Sequence, residues 1–250
     1  MTISSIQKLA FLKKTYIFRL MDYTQDPTFI AAAQDTADNR AQFIRKTYTH
    51  VAGALAAFII LETIFIQTGI ALRIQSIFSG IPFLFFGVVI AGGFITSHLS
   101  NSMSRQMQYL GLAVQVVFYA VIFALLIPYA IVYAPKALPA AALTTGGLTL
   151  GLTSVVFSTR KDFSFLAPII TIGFFILLAV GLGSFIFNYA VSTMLFAGAG
   201  ALLAAGALLF DTSKVLHHYP THMHVGASVH IFGSIMTLFW YILQLFMSRD

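Results

Sequence analysis

Asp211 closes an apolar run, ALLFDTSKVLHHYP (207–220), and four histidines follow within the next thirteen residues: His217, His218, His222 and His224. A carboxylate beside imidazoles is the material of a proton switch or of a metal site. For a switch, the partners must come from the next apolar segment. His230 and Ser234 stand there four residues apart, on one face of a helix. Asp211 sits at the C-terminal end of its own helix, where a negative charge opposes the helix dipole. That placement calls for a polar partner, and His230 or Ser234 can supply it in a small lock that protonation would weaken. For a metal, the pattern is poor. Pro220 prevents one helix from aligning His218 with His222, and no HExxH-like spacing is present. The histidine loop reads as a solvated cytoplasmic loop that gains charge as the pH falls, with metal binding by His217, His218, His222 and His224 as the alternative.

Glu62 is the second carboxylate inside an apolar run, IILETIFI, close to the middle of the first long one. A charged carboxylate there costs about 2.5–3.5 kcal/mol on the mildest insertion scale. It is therefore either protonated and held by a hydroxyl such as Thr63 or by a neighbouring helix, or it is part of a proton or cation relay. No Lys or Arg lies deep in any apolar run, which removes a Schiff-base lysine and a voltage-sensing arginine ladder.

The elements that must position these groups follow from composition. The 250 residues are 58% hydrophobic and 9% charged, where soluble domains carry roughly 25% charged residues. The chain reads as an all-α, multi-pass membrane protein. It has no cysteine, hence no disulfide and no thiol chemistry. Its formal charge of +6 lies outside the apolar runs, so it points to membrane topology and not to nucleic acid. Seven runs reach the ~20 residues that a membrane helix needs: 49–70, 80–98, 111–133, 139–158, 165–187, 190–213 and 227–247. Asn188 marks a tight turn between the fifth and sixth spans.

Lys8, Lys13, Lys14, Arg19, Arg40, Arg45 and Lys46 precede the first span. Arg105, Arg160, Lys161 and Lys214 fall on the same side, while Arg73, Lys136 and Arg249 fall on the other. The first side is expected to be cytoplasmic, with the N-terminus inside. Residues 1–46 form a cytoplasmic N-terminal segment, partly disordered through about residue 40, and residues 47–250 form the membrane domain. Its first twenty residues lack the clean apolar core of a cleavable signal; they read as a tail, or as a start displaced to Met21, with a membrane-surface amphipathic segment as the alternative. Ala197, Ala201 and Ala205 in span six, and Gly147 and Gly151 in span four, suggest close helix contacts. They imply a central sixth span. Trp240 reads as an interfacial anchor of the last span.

Three stretches carry a family resemblance. SVVFSTRKDFSFLAPIITIGFFILLAVGLGSFIFN (154–188) resembles the fourth-to-fifth-span region of the Bax inhibitor family, the transmembrane Bax-inhibitor-motif proteins. GALLAAGALLFDTSKVL (200–216) resembles that family's sixth span, and FIRKTYTHVAGALAAFII (43–60) its entry into the first. The resemblance covers about residues 43–250. It implies a seven-helix bundle with the last helix enclosed by the others. It also implies a pH-sensitive aspartate pair between helices six and seven that latches a cation leak, chiefly for calcium. By position, Asp211 matches the first aspartate, and the second falls at Ser234. A carboxyl and a hydroxyl cannot share a proton as a coupled carboxyl pair does, but they can hydrogen-bond. His230 and Glu62 are the local candidates for replacement chemistry.

The ending VHIFGSIMTLFWYILQLFMSRD resembles the bacterial YccA-like branch, whose members are implied to be modulators and substrates of the FtsH membrane protease. Residues 1–46 would be the handle for that partner. The expectation is a multi-pass protein of the bacterial inner membrane, without a cofactor and not an enzyme: a pH-responsive calcium or cation leak centred on Asp211, Ser234, His230 and Glu62, or an FtsH modulator acting in membrane-protein quality control without transport. An intramembrane metal hydrolase is the third reading. It is disfavoured because His230 alone among the histidines of the C-terminal third falls clearly within a span.

Overall fold

The computed structural model describes residues 31–81, 83–187 and 189–248. Residues 1–30 of the expected N-terminal segment, the turn at Asn188 and the terminal Arg249 and Asp250 lie outside the described residues. A 3-10 turn, Ala32–Gln34, precedes nine helices among them. These are α1 (Ala37–Gln67), α2 (Ile70–Gly80), α3 (Leu84–Ser100), α4 (Arg105–Phe123), α5 (Ile127–Tyr133), α6 (Ala137–Thr159), α7 (Leu166–Phe187), α8 (Thr193–His217) and α9 (His224–Met247). No strand is present among the described residues, only one isolated bridge between Ala31 and Pro220.

Among the described residues, six stretches are long and apolar enough to cross a membrane: α1, α4 with α5, α6, α7, α8 and α9. Helices α2 and α3 meet at 112° and make the seventh when the pair counts as one span. The expected span at 80–98 is thus α3, 17 residues long, and α2 occupies what reads in sequence as a connection. Gly69, in the left-handed region at φ 74°, makes the turn between α1 and α2, a conformation that costs glycine little. The expected single span at 111–133 breaks after Phe123 and restarts as α5, which carries Pro128 in its first turn.

Helix α1 begins at Ala37, so the expected division at residue 46 falls inside a continuous helix. Thr36 caps it by accepting from the Asn39 N–H at 3.3 Å, as N-cap threonines do. The described residues before it, 31–36, are not wholly free either. Ala32 is fully buried and its N–H donates to the Tyr219 carbonyl at 2.9 Å. Asp35 accepts from the Thr221 hydroxyl at 3.0 Å.

Helix α9 is the enclosed one. It packs against α8, α6, α1, α4 and α3, and Ile231, Phe232, Leu238 and Leu243 are fully buried. Lipid tails are as apolar as these side chains, so the contacts gain from close packing more than from leaving water. Helix α7 is the opposite case: none of its residues is buried. Two small-residue expectations are corrected. A Cβ at Gly147 or Gly151 would meet nothing within 4 Å. Helix α6 instead turns Ala137, Ala141 and Thr145 inward. On α8 the buried stripe is Ala197, Gly200, Ala204 and Leu208, and Leu202 on the other face is 78% exposed. That helix is therefore half lipid-facing. Trp240, expected as an interfacial anchor, is partly buried, with its ring 5.4 Å from that of Phe123 and 6.2 Å from that of Phe85.

Candidate functional site

One end of the bundle gathers the polar loops. The start of α1, the α3–α4 link, the α6–α7 link and the α8–α9 loop all meet there. His50 on α1 bonds Tyr109 on α4 at 3.0 Å, and His217 Nε2 lies 3.1 Å from the Arg160 carbonyl. Among the described residues, Arg40, Arg45, Lys46, Arg105, Arg160, Lys161 and Lys214 belong to this end, and Arg73 and Lys136 to the other.

Two clamps fix α9 at this end. Gln108 on α4 is buried; its amide donates to the Ser102 carbonyl at 2.9 Å and its oxygen accepts from the Gly226 N–H at 3.0 Å. That N–H is one of the donors a helix start leaves unpaired. Gly226 also lets α9 approach α3 closely, because a Cβ there would run into the Ser100 carbonyl oxygen.

With α9 so placed, the Ser234 hydroxyl donates to Asp211 Oδ2 on α8. Asp211 is partly buried and Ser234 is buried. Lys214, Tyr119 and Tyr219 are the other charged or titratable groups that feel this carboxylate. The Lys214 ammonium lies 5.8 Å from the Tyr219 ring centre. The Tyr219 side chain is itself buried, and burial pushes its hydroxyl pKa upward.

His230, one turn nearer the loops than Ser234, faces elsewhere. Its Nε2 is 3.2 Å from the Ser100 hydroxyl and its ring is 6.0 Å from that of Tyr219. Glu62 is not part of this cluster. Tyr48 on α1 faces Thr212, the neighbour of Asp211, and Glu62 stands fourteen residues further along α1. At 1.5 Å per residue that is about 20 Å. Because α1 starts at Ala37, Glu62 lies near the far end of its helix and not at its middle. It is 4% exposed and neither carboxylate oxygen has a hydrogen-bond partner among the described residues. Thr63 is not its partner: that hydroxyl donates to the Ile59 carbonyl at 2.7 Å.

The four histidines weighed as a metal set are not brought together. His217 lies between two backbone carbonyls, of Ser213 at 2.9 Å and of Arg160. His218 pairs with Asp162 at 3.1 Å in the α6–α7 link. His224 turns to His50, with ring centres 5.3 Å apart. No group of three His, Asp or Glu side chains among the described residues is placed to hold a metal ion. The α8 end is instead sewn to the α6–α7 link, where Ser213 accepts from the Phe163 N–H at 2.9 Å.

What sequence reasoning missed is a set of buried hydroxyls. Thr47 on α1 and Thr145 and Thr149 on α6 have side-chain oxygens without a partner among the described residues, while Tyr48, Thr153 and Thr212 turn their hydroxyls toward one another between α1, α6 and α8. Other helical threonines, such as Thr63, Thr159 and Thr171, donate to the carbonyl four residues back. The i, i+4, i+8 spacing of the α6 threonines was the available signal.

The match to known proteins agrees with this architecture. A family model described as "Inhibitor of apoptosis-promoting Bax1" matches residues 40–250. A membrane protein of Vibrio cholerae is 28% identical over 101 residues, 40% of this chain and 45% of its own length. Bax inhibitor 1 of Schizosaccharomyces pombe is 33% identical over 105 residues, 40% of this chain and 38% of its own. The modulator of FtsH protease YccA of Escherichia coli is 28% identical over 113 residues, 41% of this chain and 51% of its own. The chain thus spans about half or less of the length of these curated relatives. Matched by the family model over 211 of its residues, 40–250, and built as an all-helical multi-pass membrane bundle, the chain belongs to the Bax inhibitor family.

Proposed function

We propose that the protein is a pH-responsive leak for calcium and other small cations in a bacterial inner membrane, with the Asp211–Ser234 contact as its latch. The observation that carries this reading is the hydrogen bond from Ser234 on α9 to the Asp211 carboxylate on α8. It ties the enclosed helix to a half lipid-facing one beside the polar loops. A bond to an ionised carboxylate is roughly twice as strong as one between neutral groups. Protonating Asp211 weakens the tie, so acid favours separation of α8 from α9. A single carboxylate takes up one proton, so the response is less steep than that of a coupled pair.

The unpartnered oxygens of Glu62, Thr145 and Thr149 support a passage. Buried polar atoms are almost always satisfied by protein, water or an ion, and these lie on α1 and α6. Glu62 would then serve the far end of the path. The cytoplasmic assignment of the loop end rests on its excess of Lys and Arg. The test is calcium efflux from liposomes holding the purified protein, stepped through pH. Efflux that depends on pH in the wild type and loses that dependence in Asp211→Asn supports the latch. An unaltered pH profile in Asp211→Asn removes it.

A second reading, modulation of a membrane protease of the FtsH type without transport, is favoured by the likeness to the Escherichia coli modulator. Residues 1–46 are its candidate handle. A chain lacking residues 1–30 should lose co-purification with that protease while keeping its helicity. Retention of the protease by the shortened chain argues against this handle.

A further inference from the structure

A cavity of about 320 Å³ lies between α3, α4, α7, α8 and α9. Its walls include Phe86, Phe118, Phe174, Phe196, Trp240 and Tyr241. No charged residue lines it. Two of its polar groups are already engaged: the Tyr119 hydroxyl donates to the Gly233 carbonyl at 2.8 Å and lies 2.9 Å from the Thr237 hydroxyl. Such a lining cannot replace the water around an ion, and it gives a polar solute few partners. A cavity of about 150 Å³ lined by apolar side chains stays dry and takes up benzene. This one has about twice that volume.

The position of the cavity limits what can reach it. Along α8 it extends from Phe196 to Ala207, so it occupies the part of the bundle away from the polar loops. One of its walls is α7, a single helix with no buried residue, on which Phe175 and Ile176 are 61% and 58% exposed. Beyond that wall is the hydrocarbon of the bilayer. We infer that the cavity is a binding site for one acyl chain of a membrane lipid, which enters past α7 and packs against the Trp240 face of α9.

The floor of the site adds a consequence. Ala207 and Thr237 line it, and Asp211 and Ser234 follow one turn beyond each. A bound chain would seal the Asp211 contact from the outer side. Only this consequence rests on the reading of Asp211 as a latch; occupancy of the cavity does not.

Trp240 is the only tryptophan in the chain and it lines the cavity, so its fluorescence reports occupancy directly. The experiment places the full chain in phosphatidylcholine vesicles whose lipids carry bromine on one acyl chain, and measures quenching. Gly181→Leu and Leu178→Phe, both on α7, add bulk to the cavity from positions outside the latch. At Gly181 the nearest atom to a new Cβ is 3.7 Å away, so the substitution has room to start. The expected result is strong quenching in the wild type that falls at least twofold in either filled variant that keeps wild-type helicity. Quenching of equal strength in both filled variants means that Trp240 meets only surrounding lipid, and overturns the inference. Absence of quenching in the wild type also overturns it. Calcium efflux is not part of this readout, so the latch can fail while the site stands.

Discussion

Replacing Ser234 by Ala removes the one hydrogen bond donated across α8 and α9 to Asp211. It does so without adding bulk to a buried position. Hydrogen bonds between membrane helices average about 0.6 kcal/mol and reach about 1.7, while those to charged groups are worth about 1.5–3 kcal/mol. A partly buried carboxylate as acceptor places this bond at about 1.5 kcal/mol. If opening breaks the bond, the closed state loses that amount, and every 1.4 kcal/mol is tenfold. Basal calcium efflux at neutral pH should therefore rise about tenfold in Ser234→Ala. The assay is efflux from liposomes at matched protein density, run as a cycle with Asp211→Asn and the double variant. Ser234→Ala deletes the donor and Asp211→Asn exchanges the charged acceptor for a neutral amide oxygen; both act on one bond, so the double variant should leak less than the product of the two single effects. Fully multiplicative effects in the double variant, or an unchanged rate in Ser234→Ala, would refute the reasoning.

Three other outcomes are expected. Gly226→Ala forces a methyl group against the Ser100 carbonyl; overpacking of this kind costs about 1–3 kcal/mol, and the thermal midpoint in detergent should drop by several degrees. The Ser164 hydroxyl, its N–H and His218 hold the Asp162 carboxyl below its ordinary 3.8. Because the folded value is depressed, the stabilisation is present above the ordinary value and disappears as the pH falls through the lowered one. The difference in midpoint between wild type and Asp162→Asn should be small at pH 7, since the pair is half exposed, and vanish once the pH has fallen through the lowered value. Ala32→Asp places a charge where Ala32 is fully buried against the Tyr219 loop; limited proteolysis should then cut within 31–40 faster than in the wild type.

The apolar runs made most spans legible because period and length suffice for a membrane helix. The limits of α6, α7 and α9 fall within three residues of those read from hydropathy. The bend between α2 and α3 was not legible: residues 70–80 carry Arg73, Gln75 and Ser79 among apolar neighbours and read equally as a connection. Ser234 and His230 share a helix face, and sequence has no means to decide which meets Asp211. That choice depends on how α9 is turned, and Gln108 and Gly226 set its turn from distant parts of the chain. Glu62 lies toward the far end of its helix because α1 begins at Ala37, twelve residues before the expected span start at 49. The GxxxG on α6 misled because small residues permit a close contact without requiring one.

The most direct measurement of the central claim is infrared difference spectroscopy of the protein in lipid, titrated with acid and compared with Asp211→Asn. A protonated-carboxyl band present in the wild type, absent in the variant, and rising over the same pH interval as calcium efflux is the predicted result. A band that survives Asp211→Asn unchanged, or one that titrates in an interval where efflux stays flat, would contradict it.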